Sequence, residues 1–381
     1  MKIARIETFL VPPRWLFCRV ETDDGVVGWG EPVVEGRAEV VRTAVEVLSE
    51  YLVGQDALRI EDHWQVLTKG GFYRGGPVLS SAVAGLDQAL WDIAGKHYGA
   101  PVHELLGGPV RDRIRVYAWV GGDDPGELRE EIEKQVEAGF TAIKMNGSGL
   151  LPRSLTASDL AAAVTRAEVA RSVLGPGRDF AIDLHGRASV ADARRIVAAV
   201  AGLHPLFVEE PLAPGYLHRL ADLTAATEVP IALGERLYSR GDFLPALTSG
   251  LAVAQPDLSH AGGISEVRRI ASLAETFDVQ LAPHCPLGPI ALAASLQVGF
   301  ATPNFLIQEQ SIGIHYNGDT GFLDYVIDPA PFTFAAGHAH RTSAPGLGVE
   351  VDEQAVRRAD RHPHAWRNPV WRHEDGSMAE W

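Results

Sequence analysis

The chain has 381 residues, 46% hydrophobic and 22% charged, with a formal net charge of −15. That length exceeds one ordinary domain but suits an α/β barrel of roughly 250 residues with a second lobe, and the composition is that of a globular protein with its own core. So acidic a balance argues against nucleic-acid partners, which are met with clustered Lys and Arg, and an anionic ligand must be received by a local positive centre. The opening residues 1–13 hold no apolar run of signal-peptide length, and no run approaches a membrane span, so a cytoplasmic protein with no membrane partner is expected. The two cysteines, Cys18 and Cys285, lie far apart and read as reduced thiols.

In chain order, residues 3–9, 16–22 and 26–30 alternate like strands, with Asp23-Asp24-Gly25 as a turn. Helical patterns follow over 37–52, 59–68 and 78–98, which makes residues 1–114 an α+β lobe. Short apolar strands then recur at 115–119, 142–145, 180–184, 206–208, 231–233, 251–254, 279–282 and 305–308. Ala-rich amphipathic segments such as 159–174 and 190–201 separate most of them. Repeated βα units of this kind imply a closed parallel barrel over residues 115–325. Residues 326–381 are expected to return to the first lobe, with 345–353 (PGLGVEVDE) as a further strand-like element. His338-Ala339-His340 resembles a zinc pair but is expected in a solvated loop. The glycines from Gly25 to Gly30 do not give GxGxxG followed by a helix, so no dinucleotide site is supported. The loop Gly71–Gly76 is expected to be mobile and to cover a ligand.

Polar residues stand at the ends of the barrel strands. Asp183, Glu209 and Glu235 are spaced 26 and 26 residues apart, one strand-helix repeat each, and Asp257, His284 and Glu309 follow at 22, 27 and 25. Strand ends converge on one mouth of a barrel. Any one of these acids is readily a helix cap, but three in register make an oxygen-only site that suits Mg²⁺. His185, two residues beyond Asp183, is expected to face the same way on an extended strand. His284 can pair with Asp257 on the neighbouring strand end, which fixes its tautomer and raises its basicity. A base and an acid in one mouth leave two outcomes open. Reprotonation at the same carbon gives racemisation or epimerisation, and protonation of a β-hydroxyl gives dehydration.

The stretches ETDDGVVGWGEPV, DQALWDI, AIDLHGR, LFVEEP, LGERL, QPDLSHAGGI, LAPHCPLGPIALAA, QEQSIGIHYN and WRNPVWRHEDGS resemble the enolase superfamily, mandelate racemase branch, over nearly the whole chain. The resemblance implies a modified TIM barrel, (β/α)7β, with an α+β capping domain that the C-terminal segment rejoins. It implies one Mg²⁺ per subunit on Asp183, Glu209 and Glu235, His284 as base at C2 with Asp257 behind it, His185 as the acid at the C3 hydroxyl, and Glu309 as stabiliser of the intermediate. The substrate implied is an acid sugar, D-galactonate before gluconate, mannonate or galactarate. Lys144, Asn146, Arg14, Trp15, Tyr73 and His315 are the candidate substrate contacts. Lys144-Met145-Asn146 lacks the second lysine of the racemase branch, which weakens an epimerase. A homo-oligomer, up to an octamer, is expected from the resemblance. A sugar-acid binder without catalysis and a zinc hydrolase on the same fold are the readings from other classes.

Overall fold

The computed structural model describes residues 1–122, 124–152, 154–314, 317 and 321–380. The first lobe opens with an antiparallel sheet of β1 (Ile3–Val11), β2 (Trp15–Thr22) and β3 (Val27–Gly30), covered by α1 (Ala38–Leu52), α2 (Ile60–Lys69) and α3 (Pro77–Tyr98). Helix α3 starts on Pro77, where a missing N–H costs nothing, and ends on Gly99 in the left-handed conformation. Most of its middle turns are buried, because it is packed between β3 and the barrel. The short α4 (Val102–Leu105) and β4 (Arg113–Arg115) lead into the barrel.

The barrel chain then alternates. Its elements are β5 (Ala118–Val120), α5 (Pro125–Glu137), β6 (Ala142–Asn146), α6 (Ala157–Leu174), β7 (Asp179–Asp183), α7 (Val190–Val200), β8 (Val208–Glu209) and α8 (Leu220–Thr224). There follow β9 (Ile231–Leu233), α9 (Arg240–Leu247), β10 (Val253–Ala254), α10 (Gly263–Thr276), β11 (Gln280–Leu281) and α11 (Pro289–Ala301). Among the described residues β5 to β11 form one parallel sheet in sequence order. Residues 305–308 close it as the eighth position. Leu306 N–H donates to the Leu281 carbonyl at 2.7 Å and Gln308 N–H to the Arg115 carbonyl at 2.9 Å, by bridges rather than a full strand. Tyr117, Ala142, Ala181, Phe207, Ala232, Val253, Ala282 and Ile307, one from each position, form a separate core cluster. This is the packed barrel interior.

Two expectations for the C-terminal part change. His338–His340 is not a solvated loop but a strand, β12, paired antiparallel with β4, because the alternation buries Ala339 opposite Ile114. Residues 345–353 form no strand. They make isolated bridges at Gly346 and Val351, and then helix α12 (Glu353–Ala359), capped by the Asp352 carboxylate. No helix among the described residues is long and apolar enough to cross a membrane.

Buried side chains of the first lobe hold backbone atoms of the barrel. Gln88 donates to the Leu258 carbonyl (2.9 Å), Trp64 to the Gly262 carbonyl (2.9 Å), and Asp87 accepts the Ser265 N–H (2.9 Å). Glu31 accepts the N–H groups of Gly288 (2.7 Å) and Ala291 (3.0 Å), which caps α11 from the other lobe. Burial pushes the Glu31 carboxyl up to about 8, against the pull of those two donors. The native state therefore keeps a proton that the unfolded chain releases above about 4.5, and this contribution to stability is lost as pH rises towards 8. Glu31→Gln lacks that contribution and leaves one helix N–H without an acceptor, a cost of about 1–3 kcal/mol. The variant is expected to be less stable than the parent at pH 5, with the gap in urea midpoints narrowing by pH 8. A gap that does not change with pH would show the carboxylate ionised throughout.

Candidate active site at the barrel mouth

A cavity of about 800 Å³ opens at the C-terminal ends of the barrel strands, lined by Arg14, Lys144, Asn146, Asp183, His185, Glu235, His284 and Glu309 among others. Strand β6 alternates Ala142, Lys144 and Asn146 on the inner face, so Lys144 rises from the packed interior into the middle of the acids. Its Nζ lies 2.6 Å from Glu209, 2.6 Å from Glu309 and 3.5 Å from Asp183. Burial pulls the Lys144 pKa down, but the charges of Glu209 and Glu309 outweigh it and hold the ammonium well above its ordinary range.

Asp183, Glu209 and Glu235 each offer a carboxylate oxygen, and these atoms lie within 4.8 Å of one another. Burial and the neighbouring Asp183 push Glu209 well above the usual carboxylate range, and its Oε2 is buried with no hydrogen-bond partner among the described residues. Burial, opposed by His284, raises Glu235 to about 7. For Asp183, burial is outweighed by His185 and Lys144, so its pKa is lowered. One lysine does not neutralise this set together with Glu309. The orphaned oxygen and the all-oxygen donors fit a hard divalent cation.

His284 follows β11, with Nδ1 2.8 Å from Asp257 and Nε2 3.2 Å from Glu235. Asp257 is fixed in turn by the Ser259 N–H at 2.6 Å. Burial lowers the His284 pKa, but Glu235, Glu309 and Asp257 prevail and hold it up to about 10. His185 sits at the opposite side of the mouth, beyond β7. Burial pulls it down to about 4 despite Asp183 at 3.3 Å. These protons are reversed from those of a base and an acid at rest. A cation on the three carboxylates would withdraw the charge of Glu235 from His284. Glu309 bridges Lys144 and the Cys285 N–H, at 2.8 Å. The Cys285 thiol itself is buried and burial pushes it well above its usual range, so it stays protonated.

The structure thus brings Asp183, His185, Glu209, Glu235, Asp257, His284, Glu309 and Lys144 together, and departs from the sequence reading in several places. β7 ends at Asp183, and His185 has φ +51°, so the two do not share a face by strand alternation. A tight turn brings the ring back to Asp183. Asn146 lines the cavity, and its Oδ1 is buried without a hydrogen-bond partner among the described residues. Arg14 lines it too, ion-paired with Glu35 and donating to the Pro286 carbonyl at 3.0 Å. Trp15 does not. Alternation along β2 turns it into the lobe core, fully buried beside Phe17, Phe322 and Tyr325. Tyr73 is 88% exposed on the 70–76 loop, against Phe72 and outside the cavity lining. His315 lies outside the described residues.

Sequence reasoning passed over much of the remaining lining, including His260, Arg236, Trp366 and Trp371. His260, three residues after Asp257, has its Nδ1 3.8 Å from Asp257 and its ring 6.1 Å from that of His284. The Asp-x-x-His spacing of Asp257-Leu-Ser-His260, which a turn folds together, is a signal that could have found it. Asp257, His260 and His284 also meet metal-ligand spacing, but His284 Nδ1 is already engaged by Asp257. Arg236 pairs with Glu210, whose other oxygen accepts the Gly234 N–H at 2.9 Å. Trp366 and Trp371 reach the cavity from the C-terminal segment, where no periodicity points to a site.

Residues 11–107 match the mandelate racemase / muconate lactonizing enzyme N-terminal domain, and residues 127–355 match the enolase C-terminal domain-like family. The chain belongs to the mandelate racemase/muconate lactonizing enzyme family of the enolase superfamily. This family member is 51% identical to the D-galactonate dehydratase of Variovorax paradoxus and 52% identical to that of Ralstonia nicotianae, in each case over 100% of both chains. Among solved structures it is similar to an enolase from Agrobacterium radiobacter, provisionally described as a galactarate dehydratase, with bound Na and L-malate. That likeness has a TM-score of 0.92 at 34% identity and covers 100% of both chains. It is similar also to a mandelate racemase/muconate lactonizing enzyme from Jannaschia, with a TM-score of 0.87 at 30% identity over 98% of this chain and 99% of that one.

Proposed function

We propose that this protein is a magnesium-dependent hydro-lyase that converts D-galactonate to 2-dehydro-3-deoxy-D-galactonate and water. The observation that carries the reaction class is the placing of two imidazoles across one carboxylate cluster, His284 backed by Asp257 and His185 beside Asp183. The names of relatives at 51–52% identity over the full length support galactonate as the substrate.

Asp183, Glu209 and Glu235 would hold the Mg²⁺, which supplies positive charge to the substrate carboxylate as C2 becomes acidic. His284 Nε2 takes the C2 proton while Asp257 holds Nδ1 and balances the imidazolium that forms. The Lys144 ammonium, anchored by Glu209 and Glu309, keeps a fixed charge beside the developing enediolate. Negative charge building there favours a protonated His185. His185 then gives its proton to the C3 hydroxyl, the C3–O bond breaks, and water leaves. The resulting enol takes a proton at C3 to become the 2-keto acid. Asn146 has an amide where a second base would stand, and an amide hydrogen-bonds a hydroxyl but abstracts no proton.

The test is a panel of acid sugars with purified protein and Mg²⁺, read as formation of the 2-keto product. D-Galactonate is expected to turn over well above gluconate, mannonate and galactarate. Preference for another acid sugar would move the substrate within the same chemistry, and no turnover of any would sink the dehydratase. Loss of turnover with a chelator, restored by Mg²⁺ and not by Zn²⁺, is expected of an oxygen-only ligand set.

A further inference from the structure

Beyond α12 residues 363–371 form an extended strap, and residues 372–379 turn back on it, with an Arg372–Met378 bridge and the Ala379 N–H donating to the Trp371 carbonyl at 3.1 Å. Asp360 accepts the Leu10 N–H at 2.8 Å and pairs with Arg42 at 2.9 Å. His364 Nε2 lies 3.1 Å from the Trp15 carbonyl, and Arg367 makes two contacts with Glu39, at 2.9 and 3.1 Å. Asn368 packs against Gly36, where φ is +72° and a Cβ would fall 1.8 Å from Asn368 Oδ1, so only glycine fits there. Past Pro369 the strap reaches the barrel mouth, and the Trp371 ring stacks on the Arg187 guanidinium, 4.8 Å from its centroid.

Arg187 closes the turn that carries His185. Its N–H donates to the Leu184 carbonyl at 3.0 Å and its Nη1 to the Ser148 carbonyl at 2.7 Å. His185 holds φ +51°, a conformation that a non-glycine residue keeps only when its surroundings impose it. Arg236 grips the turn from one side, with Nη1 3.3 Å from the His185 carbonyl. Arg187, clamped by Trp371, holds it from the other. A guanidinium held over an indole face is restrained in position. The base stands elsewhere. His284 and Asp257 follow β11 and β10, across the mouth from β7, and the strap approaches that side through Trp366, over Arg14 at 5.6 Å, and not through Trp371, whose ring lies over Arg187.

We infer that Trp371, through its stack on Arg187, is a positioning residue for the His185 turn, serving proton delivery to the leaving hydroxyl and not the removal of the C2 proton. This rests on the acid and base roles proposed above. A misplacement of about 1 Å at a proton donor costs roughly 10²-fold, whereas a base on the other side of the mouth is not displaced.

The experiment compares dehydration with exchange of the C2 proton in deuterium oxide, using the full chain with Mg²⁺ and D-galactonate. Trp371→Ala is expected to slow dehydration by about tenfold to a hundredfold and to change C2 exchange by less than about threefold. Trp371→Phe, which keeps an aromatic face, should restore most of the rate. Arg187→Met breaks the same stack from the other partner and is expected to give the same split, so it decides the matter if Trp371→Ala does not fold by circular dichroism. His185→Asn is run alongside. If it too lowers exchange and dehydration together, the acid role fails and the inference with it. If it separates the two while Trp371→Ala and Arg187→Met do not, the acid role stands and the inference about the strap is overturned.

Discussion

Replacing His284 with asparagine is expected to abolish exchange of the C2 proton of D-galactonate with solvent, and dehydration with it. Asparagine keeps a polar group near Asp257 but offers no nitrogen that can accept the proton, and loss of a general base of this kind costs roughly 10²–10⁴-fold. The imidazole is held from both ends, with Nδ1 2.8 Å from Asp257 and Nε2 3.2 Å from Glu235, which sets its ring against the carboxylate cluster. His260 shares Asp257, but its Nδ1 is a full 3.8 Å from that carboxylate. Nuclear magnetic resonance of the substrate in deuterium oxide checks the result directly. Exchange at the parental rate in the variant would remove His284 from the base role, and His260 would then be the group to test.

Lys144→Met should have the largest effect on stability. The ammonium is fully buried and lies 2.6 Å from two carboxylates and 3.5 Å from a third. Methionine fills a similar volume, so the loss is chiefly electrostatic. Removing one partner of a buried ion cluster costs about 3–5 kcal/mol, because uncompensated charge is left behind. The metal-free variant is expected to unfold at a much lower urea concentration than the parent. Mg²⁺ should raise its midpoint by more than it raises that of the parent, since a cation bound only by the native state stabilises by mass action and here meets less competition. A midpoint equal to that of the parent without metal would show that the carboxylates share protons in place of the lysine. The effect should be smaller at low pH for the same reason.

Much of the site was legible because each acid directly follows an apolar strand, and a barrel turns regular spacing in sequence into proximity in space. Asp183, Glu209 and Glu235 could be grouped from their 26-residue steps alone. His185 was placed for the wrong reason. The strand stops at Asp183, and what returns the ring to the mouth is a left-handed residue in a turn, a conformation that a histidine does not announce. Trp15 was misread because it adjoins Arg14 in sequence but already belongs to β2, which turns it into the lobe core. The strap was opaque for a different reason. Its return to the first lobe was expected, but an extended segment held by side-chain contacts has neither a period of two nor one of 3.6, so nothing in Trp366 to Trp371 tells that it reaches the barrel mouth. His338–His340 became a strand only because a partner 225 residues earlier, Arg113–Arg115, was there to pair with it.

The bonds that join the two lobes bear on how such proteins can diverge. Gln88 and Trp64 grip carbonyl oxygens of the barrel, at Leu258 and Gly262, while Glu31 grips amide hydrogens at Gly288 and Ala291. These four barrel partners are main-chain atoms, present whatever side chain the position carries, while Ser259, Ser265 and Arg269 add side-chain contacts to Gln88, Asp87 and Glu61. The main-chain part of the seam is therefore indifferent to most substitutions on the barrel side. The reacting groups and the roof above them can be exchanged or drift separately without coming apart, much as a standard fitting lets different covers close the same vessel.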